Sequence, residues 1–397
     1  MEDKKGKKGE GKGSKKEGKE GDKAHAGAEA AEEKAAMLAL LLIPGMDNRI
    51  LRRLCLHHGS ALKAWEKLEE TPRALLGGAG AGERKEEWLR ARRLLRPREE
   101  LEKLQERGVR LLLRGEEGYP PDLGRIYDPP AVLFVRGSAR PAGRLLAVVG
   151  SRKASAQGRH TAEALGREMA AAGIGVVSGG AFGIDAAAHR GALEVGGPTF
   201  AVLGHGFDHS YPPEHRGLFR RVEEAGCLVT EYPPAVPPSP WRFPERNRII
   251  AGMCSGVVVV EGGEKSGALI TADYAMEEGR EVMAVPGSVS NPLTRGPHRL
   301  IRQGAGLVTC LEEILEELGW EGECGRAARA AEEVSPDPLS QSELSLLALL
   351  DGEPRSLDFL ASRFPGPGPD LYLALSSLLV KGFLGEEPGG RYIRIEQ

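Results

Sequence analysis

Two short apolar runs, Leu145-Leu146-Ala147-Val148-Val149 and Ile174-Gly175-Val176-Val177, each break off in a turn of small residues, and no other stretch restricts the fold so strongly. Short continuous apolar runs that alternate with longer helical patterns describe strands buried on both faces, hence a parallel sheet wrapped by helices. Ligands of such sheets sit at the carboxyl ends of the strands, where the strand order reverses. Gly150-Ser151-Arg152 closes the first run, ahead of a helical pattern from about Gln157 to Ala172. Ser178-Gly179-Gly180-Ala181-Phe182-Gly183-Ile184-Asp185 closes the second and opens a helix to about Glu194. Glycine there permits positive φ and close backbone approach, and the helix that follows offers free N–H groups and a positive dipole end to an anion. Arg152 adds a forked cation able to grip phosphate. Neither turn spells G-x-G-x-x-G or G-x-x-x-x-G-K-[ST], so phosphate binding and simple turn-shaping both stay open at each glycine.

A chain of 397 residues has room for two to four domains. Its formal net charge of −3 excludes a uniformly basic nucleic-acid binder and requires any such activity to come from a local concentration of Arg and Lys. No apolar run is long enough to span a bilayer, and the charged N-terminus lacks the apolar core of a secretory signal, which predicts a cytoplasmic protein. Cys55, Cys227, Cys254, Cys310 and Cys324 are scattered and contain no C-x-x-C, so neither a disulfide framework nor a metal site is expected.

Residues 1–36 mix Lys, Gly and Glu and read as a disordered tail. Residues 37–106 read as a helical domain: Leu38, Leu41 and Leu42, then Pro44-Gly45, then Ile50, Leu51 and Leu54 suit two short helices joined by a tight turn. This resembles a helix-hairpin-helix or SAM-like unit, with Arg49, Arg52 and Arg53 just beyond the turn; a plain packing domain is the alternative. Residues 107–320 carry the sheet, with strands at Val109 to Leu113, Val132 to Val135, Thr199 to Leu203, Leu228 to Thr230, Val257 to Val260, Val282 to Val285 and Leu307-Val308 besides the two opening runs. Right-handed crossovers gather the strand-to-helix loops on one rim. Residues 321–340 read as a linker. Residues 341–397 read as a winged helix, three amphipathic helices followed by a hairpin around Pro388-Gly389-Gly390, although its third helix, Asp370 to Val380, carries no Arg or Lys to read a groove.

The most unusual segment is Trp241-Arg242-Phe243-Pro244-Glu245-Arg246-Asn247-Arg248, in which three arginines and two aromatics fall within eight residues. Alternating cations and rings suit a single strand, with phosphates on guanidinium groups and bases on aromatic faces. A solvated helix in which Arg246 and Arg248 pair with nearby Glu is the competing reading.

Taken together, Gly150-Ser151-Arg152, Ser178 to Asp185 with Ala188-His189, Phe243 to Ile250, Val260-Glu261, Ser266 to Ala272, Gly279-Arg280 and Val285-Pro286-Gly287 occur in the order and spacing of the DNA-processing protein A (DprA/Smf) family, which the chain resembles over about Arg110 to Leu318. The resemblance implies an extended Rossmann-like α/β domain, mostly parallel, that has no enzymatic activity and no cofactor. It implies a protein that binds single-stranded DNA, forms a homodimer and loads the RecA recombinase during natural transformation. Carried over residue by residue, the DNA contacts would be Gly150, Ser151, Arg152, Ser178, Gly179, Gly180, Gly183, Phe243, Arg246, Asn247 and Arg248, with a neighbouring phosphate loop of Lys265, Ser266 and Gly267. The dimer contact would include Met276 and Leu307, which ordinary core packing would explain equally well. Asp185 and His189 match family positions, where a helix cap and a packed histidine serve as well.

The sequence departs from the family pattern at Gly180, where a larger apolar residue is usual, at Phe182, where a basic one is frequent, and at His298, where Asn is usual. The main alternative is a nucleoside-monophosphate phosphoribohydrolase of the related lysine-decarboxylase-like fold. That family's catalytic loop reads P-G-G-x-G-T-x-x-E, whereas Pro286 to Leu293 has no glutamate in the required place and leaves Glu261 as the substitute. A pure protein-interaction scaffold is a third reading.

Overall fold

The computed structural model describes residues 29–76, 81–320, 339–350, 355–380, 383–387 and 391–394. Contacts divide the chain into two compact units, Met1–Ala328 and Arg329–Gln397.

The first unit begins with five helices: α1 (residues 29–41), α2 (Asn48–His58), α3 (Ala61–Glu66), α4 (Ala81–Leu94) and α5 (Pro97–Glu106). The turn between α1 and α2 falls at Pro44-Gly45, as the sequence indicates, with Gly45 at φ 73°. Asp47 caps α2 by accepting from Ile50 N at 2.7 Å. Helix α1 reaches back to residue 29, inside the stretch expected to be a solvated tail. Its Ala-rich sequence favours helix, Ala35 and Ala36 are buried, and Glu33 accepts from the free N–H groups of Ala61 and Leu62 at the start of α3 at 2.6 and 3.0 Å. Trp88 is fully buried, its Nε1 donating to Pro44 O at 3.0 Å, while Trp65 is half-buried at the edge of the same core.

The sheet follows: β1 (Val109–Leu113), β2 (Val132–Gly137), β3 (Leu145–Val149), α6 (Ala156–Ala171), β4 (Gly175–Ser178), α7 (Ile184–Glu194), β5 (Thr199–Val202), α8 (Arg216–Ala225), β6 (Cys227–Thr230), α9 (Arg242–Met253), β7 (Gly256–Val259), α10 (Gly267–Glu277), β8 (Glu281–Ala284), α11 (Arg295–Arg302), β9 (Gly306–Leu307) and α12 (Leu311–Glu317). The nine strands run in the order β1-β2-β6-β5-β4-β3-β7-β8-β9. From β6 to β9 every pairing is parallel, whereas β1 and β2 extend the sheet antiparallel. Strand β3 shows why: Leu145, Ala147 and Val149 enter one hydrophobic core and Leu146 and Val148 another, so both faces are covered.

The second unit contains α13 (Gln341–Leu347), β10 (Arg355–Ser356), α14 (Leu357–Arg363), α15 (Gly368–Val380), β11 (Leu384–Glu387) and β12 (Arg391–Arg394). A capping box between Ser340 and Glu343 starts α13. The strands form a small antiparallel sheet, β10-β12-β11, over a core that includes Leu346, Leu360, Leu375 and Leu378. Helix α15 carries no Arg or Lys. The turn expected at Pro388-Gly389-Gly390 and most of the expected linker lie outside the described residues.

Candidate functional site

From β3 the chain steps outward through β4, β5 and β6, then returns in β7 to the opposite edge of β3. That reversal is where loops on either side of the sheet part and leave a crevice. A cleft of about 180 Å³ lies there. Gly150 and Arg152 after β3, Ala181 and Asp185 after β4, and Ser266 and Gly267 at the start of α10 form two of its sides. The first turns of α9 close it with Phe243, Arg246 and Asn247.

The lip of the cleft is layered. The Arg152 guanidinium lies 5.4 Å over the Phe243 ring, and Tyr211 stacks against the same ring at 5.2 Å and 28°. Arg152 is exposed and Phe243 half-buried, so cation and ring are both accessible. Sequence reasoning missed Tyr211; the signal available was an aromatic in the loop between β5 and α8, on the same rim.

The floor is charged and buried. Arg246 donates to Gly179 O at 2.9 Å and to Val202 O, and Asn247 Nδ2 donates to Gly267 O at 3.2 Å, which ties α9 to the sheet and to α10. Burial pulls the Arg246 guanidinium down to about 10, with Arg152 reinforcing that shift and Asp185 opposing it. Burial likewise pushes the Asp185 carboxyl up, against the pull of Arg246. Two guanidinium groups thus face one carboxylate, and the excess is cationic.

Several residues expected at the site are engaged elsewhere. Arg248 does not reach the cleft, because a separation of two positions on a helix turns side chains to nearly opposite sides. It makes a bidentate, buried pair with Glu231 at 2.8 and 2.7 Å. Ser178 is fully buried and donates from Oγ to Val148 O at 2.7 Å. Gly179 is pressed by the Arg246 and Asp185 side chains, and a Cβ on Gly180 would strike the Phe219 ring. Gly183, at φ 78°, caps α7 where a Cβ would collide with the Ser151 carbonyl. The glycines of the second turn therefore answer to packing. Ser151 N donates to Glu261 O at 2.7 Å. Ser266 Oγ caps α10 by accepting from Ala268 N at 3.3 Å, and Lys265 is exposed beside it.

His189 is a packed histidine, with Nδ1 2.7 Å from Thr199 Oγ1, and burial pulls it down to about 3. Asp185 accepts from Ala181 N at 3.3 Å in the turn that opens α7. Met276 and Leu307 are 45% and 49% exposed, so core packing does not explain them. Among the described residues no helix is long and apolar enough to cross a membrane, and no group of His, Cys, Asp and Glu could hold a metal ion.

The profile of the DNA recombination-mediator protein A family matches residues 110–319. Protein Smf of Escherichia coli is 41% identical over 294 residues, covering 72% of this chain and 78% of that protein. The DNA processing protein DprA of Bacillus subtilis is 44% identical over 215 residues, covering 54% of this chain and 72% of that one. The X-ray structure of DNA processing protein A from Streptococcus pneumoniae superimposes with a TM-score of 0.60 at 33% identity, covering 72% of this chain and 97% of that chain. A sheet reversal at β3 and β7, the Gly150-Ser151-Arg152 turn, a buried Arg246-Asn247 pair and these matches together place the chain in the DprA/Smf family of DNA recombination-mediator proteins.

Proposed function

We propose that this chain is a non-enzymatic protein of DNA processing that binds single-stranded DNA along the rim cleft, protects incoming DNA and loads a RecA-type recombinase onto it during natural transformation. The observation that carries the reading is the stack of Arg152 on Phe243 at the lip of a cleft whose buried Arg246 and Asp185 offset each other, which leaves Arg152 as the excess cation. Stacking and phosphate neutralisation are the two sequence-independent ways to hold a single strand. Gly150, Arg152, Phe243, Arg246, Asn247, Ser266 and Gly267 belong to this interface, with Lys265 at its margin and Ser151 beside it, its backbone already hydrogen-bonded. Gly179, Gly180 and Gly183 shape the turn beside it.

A hydrolytic role finds little support in Glu261. Its Oε1 accepts from Ser155 Oγ at 2.6 Å and Asn291 Nδ2 at 3.2 Å, and its Oε2 from Ser155 N at 2.8 Å. A carboxylate with both oxygens occupied in a buried helix cap is poorly placed as a general base.

Half-exposed Met276 on α10 and Leu307 on β9, an edge strand with one partner, suit a homodimer. Residues 37–106, 107–320 and 341–397 then act as helical, DNA-binding and winged-helix domains in the cytoplasm.

The test is binding of single-stranded and duplex DNA over a salt series, with nucleoside-monophosphate hydrolysis assayed on the same preparation. The expected result is preference for the single strand, no hydrolysis, and a salt slope that falls by about 0.7 in Arg152→Ala, one phosphate contact's worth for single strands. Phe243→Ala is expected to weaken binding by about 1–3 kcal/mol with the salt slope intact, because stacking releases no counterions. Equal affinity for duplex and single strand overturns the reading. For the dimer, Met276→Arg is expected to give a folded monomer by light scattering.

A further inference from the structure

Helix α9 has two working faces. Phe243, Arg246, Asn247 and Ile250 follow the spacing of one side and line the rim cleft. Trp241, Arg242, Glu245 and Arg248 follow the other and line a second, larger cleft of about 540 Å³. Its far walls are the Ile43-Pro44-Gly45-Met46 turn between α1 and α2 and the proline-bearing segment from Pro233 to Pro237. The first turn of α9 is therefore a partition shared by two clefts.

On that partition stands an exposed tryptophan. Trp241 is 59% exposed, and the Arg242 guanidinium lies 4.7 Å over its ring and 5.3 Å over that of Tyr232. The carboxylates lining this cleft are already engaged. Asp47 accepts from Ile50 N, Glu231 from Arg248, and Glu245 from the Tyr232 hydroxyl at 3.0 Å. The Arg242 guanidinium, which donates to Pro237 O and lies over the two rings, has no carboxylate ion pair among the described residues. A guest that complements this cation must bring acceptors or negative charge. An apolar peptide side chain brings none, whereas a nucleotide brings a flat ring for Trp241 together with base and phosphate oxygens.

Resting on the rim as the single-strand site, we propose that the strand crosses the first turn of α9 and seats its next nucleotides in the second cleft, with Trp241 as a second stacking platform. The helical region then forms one wall of the DNA path. Phe243 and Trp241 hold bases on either side of the partition, and Arg242 lies between them.

Fluorescence anisotropy with oligothymidylates of about 4 and about 16 nucleotides, the ends of the usual range of single-strand site sizes, tests this. Trp241→Ala is expected to weaken the longer oligonucleotide roughly 5- to 150-fold, the loss of one base–aromatic stack, and to leave the shorter one unchanged. Trp241→Phe should restore most of the loss. The longer oligonucleotide should also quench the intrinsic fluorescence of the parent and quench that of Trp241→Phe much less. Trp241→Ala without effect on either length, or with equal effect on both, overturns the second cleft while an effect of Phe243→Ala upholds the rim. A parent that binds neither oligonucleotide, or is indifferent to Phe243→Ala, overturns the rim site and this path with it.

Discussion

The units β3–turn–α6 and β4–turn–α7 are built alike and stand side by side in the sheet, yet they spend their turns differently. The first turn leaves Arg152 in solvent, and the helix after it is capped in the ordinary way by Ser155 Oγ, which accepts from Gly158 N at 2.9 Å. The second buries Ser178, Gly179 and Gly180, and α7 carries Asp185 and His189 into the interior. A small-residue turn at the end of a buried strand is thus two kinds of object. Both turns reach the cleft, the first through Gly150 and Arg152 and the second through Ala181 and Asp185, but the first leaves an exposed cation and the second buries its glycines against neighbouring side chains.

The difference between the two turns rests most on Gly183. Gly183→Ala is expected to cost about 2–5 kcal/mol in stability, from the positive φ together with the collision against Ser151, read as a lowered Tm. A tolerated alanine would show that the second turn is not held by close packing. Next is the pH dependence that α7 contributes. With His189 held near 3 against an ordinary 6.5, the folded protein binds fewer protons than the unfolded chain between those values, so this group's contribution to stability is complete above pH 6.5 and declines as pH falls. Its share of the decline is at most about 1.4 kcal/mol per pH unit, and denaturant melts of His189→Asn across that window should show a correspondingly shallower slope. Ser178→Ala is expected to lose about 1 kcal/mol with DNA affinity unchanged, since its hydroxyl serves Val148 O. Smallest is Arg152→Ala, expected to alter stability by less than about 0.5 kcal/mol while weakening DNA binding. A large loss of stability there would erase the distinction between the turns.

The strands were legible because a strand buried on both faces has no polar alternation to confuse it; the expected run Leu145 to Val149 is β3 residue for residue. The antiparallel attachment of β1 and β2 was not, since apolar runs carry no sign of direction. At the site, Arg152 and Phe243 could be placed together because both sit at strand-to-helix junctions of one rim. Tyr211 escaped because it reaches Phe243 only through tertiary folding, from a loop with no motif of its own. Residue type alone groups Arg248 with Arg246, and helical phase separates them. The partner of Arg248, Glu231, directly follows β6, and the phase of α9 decides which arginine faces it. The start of α1 is hidden in the sequence because the Lys-Glu composition of the preceding stretch continues into a run that its alanines make helical.

The place of β7 in the sheet also governs how the molecule comes into being. Leu146 lies beside Gly256 and Val149 beside Val259, so the pairing at the middle of the sheet joins residues 110 positions apart (256 − 146). A ribosome adding about 5–20 residues per second releases β3 roughly 5–20 s before its second neighbour exists. Through that interval one edge of β3 has no partner from its own chain, so the strand at the heart of the finished domain is, in the nascent protein, an open edge able to pair with another chain.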